Sequence, residues 1–148
     1  MDHEYYMRMA LDLAKEAAAD KETPVGCVVI GSTGIVIGKG RNRRERAKTA
    51  IAHAEIEAIS DACNTLNDWR LTGCTLYVTL EPCPMCAGAI LMSRISKVFF
   101  GSRDENTGSC GSVVNLFMEP YRNNTQITGG LLSNESSALL TAFFELIR

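Results

Sequence analysis

The sequence predicts a three-layer α/β domain, with helices on both faces of one mixed five-stranded sheet. Two patterns carry this reading. Short β-branched or apolar runs occur at Val25 to Ile30, Ile35 to Ile37, Thr75 to Leu80, Ser96 to Gly101 and Gln126 to Thr128. Stretches with apolar residues three and four apart alternate with them, as in layered α/β chains. The length supports one domain spanning residues 1–148, since a chain of this size buries roughly 68 to 70% of its unfolded surface.

Residues 3 to 20 place Tyr6, Ala10, Leu13, Ala14 and Ala17 on one helical stripe, and Thr23-Pro24 closes that helix. Val25 to Ile30 and Ile35 to Ile37, joined by Gly31-Ser32-Thr33-Gly34, read as a hairpin. Gly38 to Thr49 has no apolar period and reads as a basic loop. Ile51 to Cys63 is the next helix, marked by Ile51, Ala54, Ala58, Ile59 and Ala62. Thr75 to Leu80 is a strand. Pro82-Cys83-Pro84 then opens a helix to about Ser93, with Pro84 suited to the first helical position. Ser96 to Gly101 is a strand, and Ser102 to Ser112 is a Gly/Ser/Asn-rich loop long enough to bind something. Val113 to Met118 has no assignment. Ser133-Asn134-Glu135 is expected to cap a last helix with Leu139, Ala142, Phe143 and Leu146 on its stripe.

Composition excludes several classes. With 46% hydrophobic and 22% charged residues, and no apolar run of about 20 residues, the chain reads as soluble and not membrane-spanning. No secretory pattern opens it, so a cytoplasmic location is expected. The net charge of -2 argues against a protein that coats nucleic acid non-specifically, and DNA is not an expected partner. Lys39 to Lys48 is the exception, with Lys39, Arg41, Arg43, Arg44, Arg46 and Lys48 set against the single acid Glu45. Within it, Arg41 to Lys48 could meet phosphates or simply form a solvated basic loop.

Six cysteines in a chain without a signal sequence suggest metal or redox chemistry and not a disulfide framework. Cys83 and Cys86 form the one C-x-x-C pair; Cys27 and Cys63 read as small core residues, and Cys74 and Cys110 have no evident role. His53 adds a third soft ligand. His53, Cys83 and Cys86 would hold Zn²⁺ and leave a fourth tetrahedral position open, as catalytic zinc sites do. Glu55 supplies the nearby carboxylate for proton transfer; its alternative role is a solvated acid on a helix dipole. Residues i and i+2 in mid-helix point about 200° apart. Convergence of His53 and Glu55 on one metal therefore requires both to lie in the first turn, with the ion beyond the helix end. Thiolates at the start of the Pro84 helix would likewise profit from its dipole.

His53-Ala54-Glu55 followed by Pro82-Cys83-Pro84-Met85-Cys86 is the signature of zinc deaminases that act on nucleobases. Over nearly its whole length, from the first helix to Arg148, the chain resembles the bacterial tRNA-specific adenosine deaminases. The matching stretches include Pro24-Val25-Gly26, Arg41-Asn42, Trp69-Arg70-Leu71, Leu76 to Cys83, Met85 to Gly88, Ser93-Arg94-Ile95 and Phe143-Phe144. The resemblance implies a cytidine deaminase-like fold, one Zn²⁺ per subunit and conversion of adenosine to inosine at the wobble position (34) of a tRNA anticodon. Glu55 would be the general acid/base, attack would fall on C6 of adenine, and a homodimer would contact the anticodon loop. It further implies that Asn42 hydrogen-bonds the base, Ala54 offers its backbone N–H, and Asp104 faces ribose hydroxyls. Turn or cap roles remain open for Asn42 and Asp104.

Departures from the family pattern fall in RNA-facing regions. Asn106 stands where relatives carry lysine, Asn124 where Asn-His is frequent, and the chain ends at Arg148 without the lysine-rich tail of many bacterial members. Altered substrate affinity or range is the expectation, with the chemistry intact. Two other readings stay open: a deaminase of free guanine, cytosine or nucleosides, and a catalytically silent RNA-binding subunit, against which the presence of Glu55 argues.

Overall fold

The computed structural model describes residues 1–147; Arg148, where the family resemblance ends, lies outside them. Helix α1 (His3–Ala19) begins where the Asp2 side chain accepts the Tyr5 N–H at 3.1 Å, satisfying one of the donors a first turn leaves without a partner. Strands β1 (Gly26–Ile30) and β2 (Val36–Arg41) form the hairpin, followed by a short helix α2 (Arg44–Ala47) and helix α3 (Ala54–Leu66). The chain continues through β3 (Thr75–Leu80), α4 (Pro84–Ser93), β4 (Lys97–Ser102), a 3-10 turn at Leu116–Met118, β5 (Gln126–Thr128) and α5 (Ser133–Leu146).

The strands lie in the order β2-β1-β3-β4-β5. β1 is antiparallel to both neighbours, while β3, β4 and β5 are mutually parallel, so the sheet is mixed as expected. Helices α3 and α4 cover one face, and α1 and α5 the other. Alternation along the strands explains how both faces are filled. Cys27, Val29, Leu76 and Val78 pack toward α3 and α4, while Val28, Ile30 and Tyr77 pack with Met7, Ala10 and Leu11 of α1. β1 is buried on both sides, which is why Gly26–Ile30 reads as a continuous apolar run. Each large side chain buried there contributes roughly 1.5–3 kcal/mol.

Three stretches depart from the sequence reading. β2 runs on through Gly38-Lys39-Gly40-Arg41, which the absence of an apolar period had assigned to a loop. A Cβ at Gly38 or Gly40 would collide with the carbonyl oxygens of Ala58 and Ala54 on α3. The glycines allow helix and strand backbones to approach closely, and this close approach overrides their poor strand propensity. α3 starts at Ala54, so Ile51 precedes the helix and is exposed. α5 is entered through Leu132 in the left-handed region at φ 54°, with no side-chain cap from Ser133. Ala142 and Leu146 are exposed, while α5 docks through Leu139 and Phe143 of the expected stripe and through two serines. Ser136 donates to the Thr79 carbonyl, and Ser137 shares a hydrogen bond with Ser102. The two serines carry no apolar signal of their own.

No described helix is long and apolar enough to cross a membrane.

Candidate active site

Two helix N-termini meet at the carboxyl end of the central strand β3, beside the amino end of β1. His53 is the N-cap of α3, in extended conformation, and Glu55 is the second residue of that helix. Cys83 is the extended N-cap of α4, Pro84 its first residue and Cys86 its third. The first-turn placement that convergence on one metal demands is therefore met at both ends. His53 Nδ1 lies 3.7 Å from Cys83 Sγ and 3.6 Å from Cys86 Sγ. A tetrahedral zinc with Zn–S near 2.3 Å and Zn–N near 2.0–2.1 Å sets its sulfur and nitrogen ligands about 3.6 Å apart. The donor set and its spacing thus fit Zn²⁺. Among the described residues, no other group of three metal-ligating side chains comes together.

The three donors shift one another's affinity for protons. Cys83 is held down to about 4 by its hydrogen bond with Cys86 and by His53, against the opposing effect of burial. Cys86 moves the other way, raised by the same bond and by burial. The hydrogen bond to Cys83 raises His53. Together these shifts describe two sulfurs and an imidazole sharing protons that a metal would displace. Glu55 is 4% exposed. Burial lifts its carboxyl to about 7, which suits proton exchange at neutral pH.

The cluster opens into a cavity of about 480 Å³, lined among others by Asn42, Arg44, Ala54, Glu55, Asp104 and Thr107. Ala54, fully buried, is the first residue of α3, where a backbone N–H has no acceptor within the helix. Asn42 accepts the Arg44 N–H through Oδ1 at 3.1 Å; among the described residues its Nδ2 makes no hydrogen bond. Asp104 also lines the cavity, and its carboxylate accepts the N–H groups of Asn106 (3.0 Å) and Thr107 (3.2 Å) and the Thr107 hydroxyl (2.8 Å). Both residues therefore make the local turn bonds expected of Asn and Asp while facing the cavity.

The basic run divides. Arg41 and Arg46 pair with Asp20, each at 2.9 Å, and Arg43 pairs with Glu57 at 3.2 Å. Lys39, Arg44 and Lys48 have no such partner among the described residues. Half of the run therefore serves to fix the loop.

Two buried acids were not anticipated. Glu22, 3% exposed, accepts the N–H groups of Glu45 (3.1 Å) and Arg46 (2.7 Å) and so holds α2 at the cavity wall. Glu81, 2% exposed, does the same for the loop after β4. An acid ending the apolar strand Thr75–Leu80 was the available signal, since a carboxylate so placed needs donors.

The family model for the cytidine and deoxycytidylate deaminase zinc-binding region matches residues 1–102. A tRNA-specific adenosine deaminase of Bacillus subtilis is 44% identical over 146 residues, covering 98% of this chain and 90% of the relative. A solved structure from a study of A-to-I editing by tRNA:A34 deaminases superposes with a TM-score of 0.89 at 39% identity, covering 92% of this chain and 99% of that one. A guanine deaminase from Nitrosomonas europaea superposes with a TM-score of 0.83 at 27% identity, covering 95% and 83%. With its zinc-ligand cluster, its buried glutamate and this near-full-length match, the chain belongs to the tRNA-specific adenosine deaminases of the cytidine and deoxycytidylate deaminase zinc-binding family.

Proposed function

We propose that this protein hydrolytically deaminates adenosine to inosine at the wobble position of a tRNA anticodon, with His53, Cys83 and Cys86 holding one Zn²⁺ per subunit. The observation that carries the chemistry is the three-donor cluster opening beside a buried glutamate. The near-full-length identity to tRNA-specific adenosine deaminases supports the substrate. When bound, zinc supplies Lewis-acid activation of water at neutral pH.

The chain's own residues do the rest. Glu55 takes a proton from the attacking water and delivers it to N1 of the purine; it then takes the remaining proton of the hydroxyl added at C6 and delivers it to the amino group, so that C6=O forms, the C6–N6 bond breaks, and adenosine and water give inosine and ammonia. A carboxyl poised near 7 can both accept and return that proton. The Ala54 N–H and the Asn42 Nδ2 orient the base, and Asp104 faces the ribose. Arg44, which lines the cavity, and Lys48 meet phosphates. In this reading the protein acts in the cytoplasm as a homodimer on the tRNA anticodon loop.

The test offers zinc-loaded protein an anticodon stem-loop with adenosine at the wobble position, alongside free adenine, guanine, cytosine and their nucleosides. Inosine in the stem-loop alone is the expected result. Turnover of free guanine or cytosine alone would contradict it and favour an activity like that of the guanine deaminase. Silence on every substrate would favour a partner subunit without catalysis.

A further inference from the structure

The loop between β4 and the 3-10 turn carries Asp104 and Thr107 to the cavity, yet it has little apolar material with which to hold itself there. Arg103, Glu105, Asn106 and Thr107 are all exposed. Its order comes from a carboxylate. Glu81 follows the last residue of β3, and its N–H donates to the Ser102 carbonyl at 2.8 Å, which extends the parallel pairing and aims the side chain under the loop. Glu81 Oε1 accepts the Asp104 N–H at 3.0 Å and the Ser112 hydroxyl. Oε2 accepts the N–H groups of Cys110 at 2.9 Å and Ser112 at 3.1 Å. Both ends of the loop are thus tied to one buried anion.

The fit is close on the remaining side. A Cβ at Gly108 would collide with the Glu81 carboxylate and with the Asp104 carbonyl, so the loop backbone lies directly on the acid. The Ser109 N–H donates to the Pro82 carbonyl at 2.8 Å, and the Gly108 N–H to that of Asp104 at 2.8 Å. Asp104 then passes the hold on, since its own carboxylate takes the amides of Asn106 and Thr107. With four donors occupying its oxygens, Glu81 has no lone pair to spare for substrate or for proton transfer.

We propose that Glu81 is a positioning residue that sets Asp104 at the cavity wall by templating residues 103–112, and so tunes substrate binding without taking part in the chemistry. This rests on the reading of Asp104 as a substrate contact.

The experiment compares the zinc-loaded wild type with Glu81→Gln, Asp104→Asn and the double variant, using the wobble-adenosine stem-loop. Zinc content and amide hydrogen exchange over 103–112 are measured on the same samples. A glutamine can serve only one oxygen's donors. Glu81→Gln is expected to keep one zinc per chain, to speed exchange across the loop about tenfold, and to raise KM about tenfold with kcat little changed, the scale of losing hydrogen bonds to a buried charged group. The double variant is expected to match Asp104→Asn, because Glu81 acts through Asp104. Unchanged exchange, a penalty of equal size in the Asp104→Asn background, or a loss confined to kcat or zinc content would each overturn the proposal.

Should Glu81→Gln fail to fold, Gly108→Ala displaces the loop from the other side with the carboxylate intact. The same KM rise supports the proposal, and an unchanged KM overturns it. Failure of the wild type to form inosine would refute the functional reading, while the exchange data would still decide whether Glu81 holds the loop.

Discussion

Glu55 and Glu81 are both buried, at 4% and 2% exposure, and both border the same cavity, yet their carboxyls are pushed in opposite directions. Burial takes Glu55 up to about 7. Burial acts on Glu81 too, but the Ser112 hydroxyl and the N–H groups of Asp104, Ser112 and Cys110 outweigh it and hold that carboxyl below the usual range. Desolvation alone makes a carboxylate reluctant to ionise, whereas the same site filled with donors makes it a fixed anion. The first suits proton transfer and the second suits architecture. The contrast extends to the cavity as a whole. Its floor, made from the first turns of α3 and α4, carries the donor cluster and Glu55; its walls, made from α2 and the 103–112 loop, are held by the buried acids Glu22 and Glu81.

Substitutions in the floor should be far more damaging than substitutions in the walls. Cys86→Ala removes a zinc ligand, and the expected outcome is zinc loss by metal analysis and a fall in turnover of at least about 10³-fold. Asn42→Ala, at the cavity beside α2, should lower kcat/KM about tenfold in the stem-loop assay while zinc stays bound, the cost of the one hydrogen bond to the base that we propose for it. An equal loss in both would break the distinction.

Two stability measurements sharpen it. Gly40→Ala forces a methyl against the Ala54 carbonyl at the very start of α3 and should cost about 1–3 kcal/mol in denaturant unfolding. Glu81 should make stability fall in acid. Its carboxyl is lowered on folding, so the stabilisation is whole above the ordinary value of 4.5 and is lost as pH falls through the lower folded value. Wild type should therefore lose more stability than Glu81→Gln between neutral pH and pH values below 4.5, and parallel curves would contradict the assignment. At the small end, Arg8→Ala breaks only an exposed ion pair with Glu135 and should leave the unfolding midpoint unmoved.

The floor was legible in the sequence because each half of it is local. His53-x-Glu55 and Pro82-Cys83-x-x-Cys86 place their chemistry within one helical turn, and the requirement that His53 and Glu55 share a first turn follows from helix geometry alone. The walls were not legible because their causes are distant in sequence. Glu81 finds its donors 23 to 31 residues later, and Glu22 finds its own 23 and 24 residues later. The basic run promised phosphate contacts, but nothing near Arg41 or Arg46 announces Asp20 as their shared partner. Gly38 and Gly40 hid the second half of β2 because what matters there is the helix above them. In α5, Leu139 and Phe143 marked the docking stripe, whereas Ser136 and Ser137 at the other contact positions carry no apolar signal.

The division between floor and walls is tested most directly by Glu55→Ala, assayed for zinc content, stem-loop binding and single-turnover inosine formation. The account predicts one zinc per chain, binding close to that of the wild type, and a rate lower by about 10²–10⁴-fold, the range for losing a general acid/base. Inosine formation at the wild-type rate with zinc still bound would contradict it.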